Sequence, residues 1–330
     1  MSPVQEPVFQ LFYGATDITR DASPFVESLT YSDYLSGQSD ELEVEMDDSD
    51  GRWSGSWYPT KGDVLRLRIG YAGSALLPAG EFTIDELGVS GPPSVVRVRA
   101  LSAGVKRPVR TRKGRAYENT TLARIVGEVA KRNKLTVVGD IKAVPIDRVT
   151  QYRERDVEFL HRLARQYGYA LKLKGQQLVF TALSALRDAA VVRTLTPKDC
   201  ARYELRDKIM AVYADAKVRY HDPAAAAVVS HDASDSAPAS ADTLVVSARA
   251  PTPESAQVQA EAALDQANDD RTTGSLTLRG DPRLVAGVAV VLRGFGKLSG
   301  TYLVTVAKHA LSRGGGYGTE IEVRRTKEGA

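Results

Sequence analysis

Residues 151–180, QYRERDVEFLHRLARQYGYALKLKGQQLVF, carry the clearest local pattern in the chain. Asp156 stands where an N-cap is expected, ahead of an apolar helical stripe of Val157, Leu160, Ala164 and Tyr167, with Phe159 and Leu163 on its flanks. Gly168 follows the last stripe residue, where a left-handed terminus costs least without a side chain. The period then drops to two. Tyr169, Leu171 and Leu173 share one face, Lys172 and Lys174 the other, and Lys174-Gly175-Gln176 is a turn into a second strand at Leu178-Val179-Phe180. The stretch predicts a helix near 156–167 lying on a hairpin near 169–181.

Upstream, residues 1–104 read as strands with short turns and no helical period, the pattern of a small barrel or sandwich. Leu42, Val44 and Met46 alternate with Glu41, Glu43 and Glu45, giving a half-buried strand with one acidic face. Its counterpart in character is the strand in which Leu65, Leu67 and Ile69 alternate with Arg66 and Arg68. Charged outer faces of this kind keep a sheet soluble and discourage edge pairing. The alternative is that Glu41, Glu43, Glu45, Arg66 and Arg68 meet a neighbouring subunit or line a water-filled passage.

The segment 105–115, VKRPVRTRKGR, has six basic residues and no stripe, and reads as a linker. It lacks interleaved aromatics for base stacking, so a solvated linker or a contact to an acidic protein face explains it better than nucleic acid does. Thr120 then precedes an amphipathic helix with Leu122, Ile125, Val126, Val129 and Ala130 on one face, near 120–134. Residues 105–195 thus form a linker and a central α+β domain. Strands resume over 196–330, interrupted by an Ala/Ser-rich loop or hairpin tip at 224–242. An Ala-striped helix at 253–268, with Pro253 at its first position, packs closely but buries little area.

Two parts of the chain look alike. Residues 62–67, 80–84 and 94–99 each have a counterpart in 287–292, 300–304 and 319–324. In both sets a Gly opens an apolar strand, a second Gly precedes an aromatic-led strand, and an alternating strand closes the set. The expectation is an α+β, mainly β protein in which two barrels related by internal duplication flank the central domain. Three such chains would present six similar barrels, letting a threefold assembly match a sixfold one.

Bulk composition excludes several classes. The 330 residues carry 44 basic and 41 acidic side chains, a net charge of +3, too small to argue for nucleic acid or an anionic membrane. A lone Cys200 rules out an intrachain disulfide and fits folding in a reducing cytoplasm. The N-terminus shows no secretion signal, and the longest apolar run, 284–292, is far short of the roughly 20 residues that span a bilayer. The four histidines are scattered, and neither HExxH nor paired-Cys spacing occurs. The DDSDG segment fails as a calcium loop, because Met46 and Trp57 fall on ligand positions. Gly294-Phe295-Gly296 opens no helix, GxSxG is absent, and no acid–base pair stands out. No catalytic, cofactor or metal residue is assigned.

Residues 28–63, the segment FTIDELGVSGPP, the central 151–180 stretch and the GGGYGTEIEVRR ending together resemble the phage late control protein D family. These are baseplate hub proteins of contractile-tailed phages and phage-tail-like bacteriocins. The pattern is also similar to the N-terminal half of VgrG proteins. The resemblance implies tube-type barrels, a homotrimer, no catalytic residues and no cofactor. It further implies a particle at the tail tip, assembled from protein made in the bacterial cytoplasm. The implied partners are a tail tube hexamer, a trimeric spike, other baseplate proteins and the tape measure protein. A tail-associated cell-wall hydrolase and a nucleic-acid-binding tail protein using Lys106 to Arg115 are the competing functions.

Overall fold

The alternation in the N-terminal part folds into β1 (Pro7–Tyr13), β2 (Thr16–Asp17), β3 (Val26–Tyr34), β4 (Glu41–Asp47), β5 (Val64–Tyr71), β6 (Leu77–Ser90) and β7 (Val95–Ser102), with one helical turn α1 (Thr19–Ala22). The computed structural model describes residues 5–102, 112–208, 212–222, 227–234, 242–247, 252–269 and 271–328. The middle of the chain gives β8 (Lys113–Thr121), α2 (Leu122–Arg132), β9 (Thr136–Val138), β10 (Pro145–Glu154), α3 (Asp156–Gln166), β11 (Tyr169–Lys174), β12 (Gln177–Ala182) and α4 (Leu183–Arg187). Then follow β13 (Val191–Leu195), β14 (Cys200–Asp207), β15 (Asp215–Asp222), β16 (Ala227–Ser234), β17 (Thr243–Ser247), α5 (Pro253–Asn268), β18 (Thr272–Arg279), β19 (Ala289–Leu292), β20 (Gly300–Ser312) and β21 (Gly316–Glu328).

Local chemistry accounts for the helix limits. Thr121, one residue later than expected, caps α2 by accepting a hydrogen bond from the Arg124 backbone N–H at 3.3 Å. Asp156 is the first residue of α3 and not its cap. Arg155 takes that place, and its backbone N–H donates to Glu158 at 2.9 Å. Gly168 ends the helix with φ +73° and lets α5 approach, because a Cβ there would lie 3.2 Å from the Ala262 Cβ. The alanines of α5 allow that closeness, and its own small core is Val218, Ala256 and Ala260. Of the segment 224–242, residues 227–234 form β16, paired antiparallel to β15. This corrects the loop expectation for those residues; 224–226 and 235–241 lie outside the described residues. Of the 105–115 segment, 105–111 also lie outside them, and the last residues belong to β8 instead of a linker.

The barrels expected from the repeat do not form. Among the described residues the strands of both halves join one open 13-stranded sheet in the order β14-β18-β21-β20-β3-β4-β7-β6-β5-β1-β2, with β13 and β19 branching from β20. Among the described residues no sheet closes on itself. The physical reason lies in one strand. Residues 300–303 of β20 pair with β19, and residues 306–312 pair with β3. The edges of β3 and β20 that could have closed each half are spent on each other. What the two Gly-led segments share is a meander, β5-β6-β7 in one and β19-β20-β21 in the other. Gly62 and Gly287 have φ +96° and +91°, and Gly80 and Gly300 have φ +114° and +152°. Gly62, Gly287 and Gly300 stand at strand entries and Gly80 beside a register shift inside β6, so the repeat records a shared need for positive φ.

One face of each sheet half is apolar. Leu29, Tyr31, Leu42, Val44, Leu67 and Phe82 fill the first core, and Leu276, Leu278, Leu292, Tyr302, Val304 and Ile321 the second. Each fully buried side chain of this size is worth about 2 kcal/mol. Around the central hairpin, α2 and α3 pack with β11 and β12 through Ile125, Val129, Phe159, Leu163, Leu171 and Phe180. Here the helix-on-hairpin expectation holds.

Candidate assembly interface

The opposite, polar face of the sheet carries the charged residues singled out by their alternation. The structure pairs the acidic strand with Arg97 and Arg99 of β7. Arg97 Nε donates to Glu45 at 3.0 Å and lies 3.3 Å from Glu43, and Arg99 reaches Glu41 at 2.8 Å. The hydrogen bond from Arg97, aided by Ser28 Oγ at 2.8 Å, holds the Glu45 carboxyl below its usual range. Arg66 and Arg68 sit elsewhere. Two strands, β7 and β6, separate β5 from β4. Arg66 donates to the Gly14 carbonyl at 2.6 Å, and both guanidinium groups lie over Phe12, at 5.6 and 6.0 Å. The registers Glu41↔Leu101, Leu101↔Thr83 and Thr83↔Val64 put all five residues on the same face, in two separate groups. That face continues across the β3–β20 junction, where Ser32 and Thr30 lie opposite Lys308 and Ala310.

The sheet also ends in two open edges. Strand β14 has β18 on one side and no strand on the other among the described residues, and Tyr203 and Glu204 on it are exposed. At the far end, β2 covers β1 only at Phe12 and Tyr13. An open row of N–H and C=O groups invites pairing with another chain.

Two buried polar clusters fix the parts against each other, and neither was legible in the sequence. Lys172, expected on an outer face with Lys174, instead points into the β3–β4 turn, where its ammonium contacts Asp33 and lies 2.9 Å from Asp40 Oδ2. Both acids are buried. Asp33 also accepts from the Ala286 N–H at 2.9 Å, and Asp40 from the Tyr34 N–H at 3.1 Å. Ser102 Oγ donates to the Leu173 carbonyl at 3.2 Å, and the Leu171 N–H donates to Ser36 Oγ at 3.1 Å. Three stretches of chain thus meet at one ammonium. Burial pushes the Asp40 carboxyl up to about 6 against the pull of Lys172. Burial also works to lower the Lys172 ammonium, but Asp33 and Asp40 outweigh it and raise it overall.

The second cluster centres on His309, fully buried and stacked on Tyr31. Its Nε2 lies 2.9 Å from the Leu284 carbonyl, which can only accept, so Nε2 carries the proton. Nδ1 then accepts from the Tyr317 hydroxyl at 2.8 Å. Burial pushes the imidazole below its ordinary range, which keeps it neutral. Beside it, burial would raise the Asp281 carboxyl, yet hydrogen bonds from Arg283 and Arg193 outweigh burial and hold it at about 2. A cleft of about 1750 Å³ opens between the 34–38 turn, α3, α5 and the strands β14, β18 and β21. Among the described residues no three His, Cys, Asp or Glu side chains gather as a metal site, and no helix is long and apolar enough to cross a membrane.

An open sheet that carries a charged face and ends in free edges, braced by a helix-on-hairpin unit, defines a component of an assembly. Comparison with solved structures shows where this fold recurs. The fold matches the 43 kDa tail protein of prophage MuSo2 from Shewanella oneidensis with a TM-score of 0.73 at 16% identity, covering 97% of this chain and 99% of that one. It also matches an E. coli component of the type VI secretion system, itself described as similar to T4 bacteriophage tail proteins gp27 and gp5. There the TM-score is 0.59 at 13% identity, covering 91% of this chain and 73% of that one. The family model for the phage tail baseplate hub (GPD) matches residues 100–315, and the chain belongs to that family. A probable baseplate hub protein of Escherichia phage 186 is 36% identical over 204 residues, 60% of this chain and 52% of that protein, so the match spans about half the length of that relative.

Proposed function

We propose that the chain is the hub of a tail baseplate, three copies of which form a ring joining a hexameric tail tube to a trimeric spike. The observation that carries this reading is the open sheet. Its two edges are different strands, β14 and β1, so a contact of one edge with the other on a second copy is head-to-tail and closes as a ring when the rotation permits. Each chain contributes the same strand meander twice, so three chains offer six such meanders to a sixfold tube. Other baseplate proteins and the tape measure protein are further partners in this reading.

The charged face of β4 and β7 lines the passage through the ring, with Arg66 and Arg68 nearer the contact between copies. Glu41, Glu43, Glu45 and Glu86 share only Arg97 and Arg99, so such a wall is wet and net acidic and does not hold a polyanionic cargo. Native mass spectrometry of the purified protein tests the assembly. A species of three 35.7 kDa chains is expected. A protein that remains monomeric or dimeric at every concentration refutes the ring.

A further inference from the structure

The strand order of the sheet repeats itself. From one end it runs β14-β18-β21-β20, with β19 branching from β20, and then β3-β4-β7-β6, with β5 beside β6. The ladders of the two sets also agree in register. The β6–β7 ladder shifts between Ile84 and Glu86, and the β20–β21 ladder between Val304 and Val306. The β3–β4 ladder shifts between Val26 and Ser28, and the β14–β18 ladder between Cys200 and Arg202. Where each long strand leaves its first neighbour, the same bond recurs: the Gly62 N–H donates to the Ile84 carbonyl at 2.8 Å, and the Gly287 N–H to that of Val304 at 2.9 Å. A bulge adds one residue to one strand of a ladder, so shared bulges align the sets whatever the side chains. Ile84 then corresponds to Val304, and Leu205 to Tyr31.

One junction of this unit is made once and left open once. Residues 306–312 of β20 pair with β3 on the side where β19 has ended. The corresponding residues of β6, Glu86 to Ser90, have β7 on one side and no strand on the other among the described residues, because the β5 ladder stops at Thr83. The counterpart of β3 is β14, whose outer edge is open as well. Six strands lie between β14 and β6, so in an open sheet the two cannot meet within one chain. We propose that β14 of one chain pairs antiparallel with residues 86–90 of β6 in a second copy, in the register that β3 makes with β20. The internal pair His309↔Tyr31 then becomes Val89↔Leu205, and Val306↔Tyr34 becomes Glu86↔Lys208. The side chains suit that register. Val89 lies opposite the buried Val96, on the apolar side of the sheet, yet is 56% exposed in the single chain; Leu205 would cover it. On the polar side an acid faces a base at Glu86 and Lys208, and Gly88 leaves room opposite Arg206. Pro92, with no N–H to donate, stands just beyond Ser90 and ends the ladder.

This junction rests on the ring reading above and narrows it: the strand that receives β14 is β6, on the β1 side of the sheet, and not β1 itself. Cys200 is the one cysteine of the chain, so Cys200→Ser gives a thiol-free parent. Adding Val89→Cys and Leu205→Cys sets two thiols directly opposite across the junction, at the roughly 4.5–5.5 Å Cα separation of antiparallel partners, which a disulfide spans. Oxidation is expected to link three full-length chains covalently, read on a non-reducing gel. It should run about tenfold or more faster than for Val89→Cys with Arg206→Cys, because a slip of one residue turns the second thiol to the other face. Equal rates for the two pairs overturn the junction. So does faster bridging of Leu205→Cys to Phe9→Cys on β1. A trimer in native mass spectrometry without a bridge between positions 89 and 205 overturns the junction and leaves the ring standing. Bridging that stops at two chains keeps the junction and refutes the threefold ring, and a protein monomeric at every concentration refutes both. A check without cysteines is Glu86→Lys, expected to raise the concentration at which the assembly half dissociates by about threefold or more, with Lys208→Glu added to it restoring the parent value. No change in that concentration for Glu86→Lys overturns the register.

Discussion

Replacing Lys172 by Met removes one ammonium and leaves two buried carboxylates facing each other. Asp33 keeps the Ala286 N–H and Asp40 the Tyr34 N–H, but Asp40 Oδ2, 2.9 Å from the lost nitrogen, has no other hydrogen-bond partner. Breaking a buried ion pair from one side costs about 3–5 kcal/mol. The cost depends on pH, with a definite sign. The folded-state pKa of Asp40, about 6, is raised above its ordinary 3.8. Its contribution to stability is therefore fully present below about pH 4 and is lost as pH rises through 6. A shift of that size corresponds to about 3 kcal/mol. Without the ammonium the carboxyl rises further, so the deficit of Lys172→Met grows from pH 5 to pH 8. Urea denaturation of the parent and the variant across that range measures it. Adding Asp40→Asn to Lys172→Met removes one of the two stranded charges, so it should recover part of the loss and flatten the pH dependence. A Lys172→Met protein within about 1 kcal/mol of the parent at neutral pH, or a deficit independent of pH, would refute the assignment of Lys172 as the ion that binds the hairpin to the sheet.

His309→Ala strands the Leu284 carbonyl and the Tyr317 hydroxyl and opens a cavity, for a loss of about 2–4 kcal/mol at pH 7.5. Because burial depresses the folded-state pKa of His309, the parent is penalised as pH falls below 6.5, and thermal melts should show the gap to the variant narrowing at pH 5. Gly280→Ala places a Cβ 2.1 Å from the Tyr317 ring, which is buried and held by His309, so a loss of about 3 kcal/mol is expected in the same melts.

Periodicity served where the contacts are local. The stripes of α2, α3 and α5 and the hairpin of β11 and β12 follow from side chains a few residues apart, and those elements stand within a few residues of their expected bounds. Closure of a sheet is a different kind of fact. It depends on which strand claims a free edge, and nothing in residues 26–34 announces that their partner is residues 306–312. The acidic alternation of Glu41, Glu43 and Glu45 was visible as a half-buried strand. Its cationic partners are Arg97 and Arg99 because the turn connections place β7 beside β4, while Arg66 and Arg68 lie across two strands. Lys172 follows its strand's alternation faithfully, but the side it faces is covered by the β3–β4 turn. Asp33 and Asp40, on either side of that turn, were the available sign, and no spacing rule links them to residue 172.

Strand β20 serves two neighbours in succession. Val304 still exchanges backbone hydrogen bonds with the β19 side, and the next carbonyl, at Thr305, accepts from Leu35 beside β3. Neither half can be cut away without tearing a row of backbone hydrogen bonds from the other. A pull or push on one rim therefore reaches the opposite half as shear along a hydrogen-bonded ladder and not through a hinge. A molecule built this way passes axial force on as a stiff body, the property that the proposed hub role would ask of it.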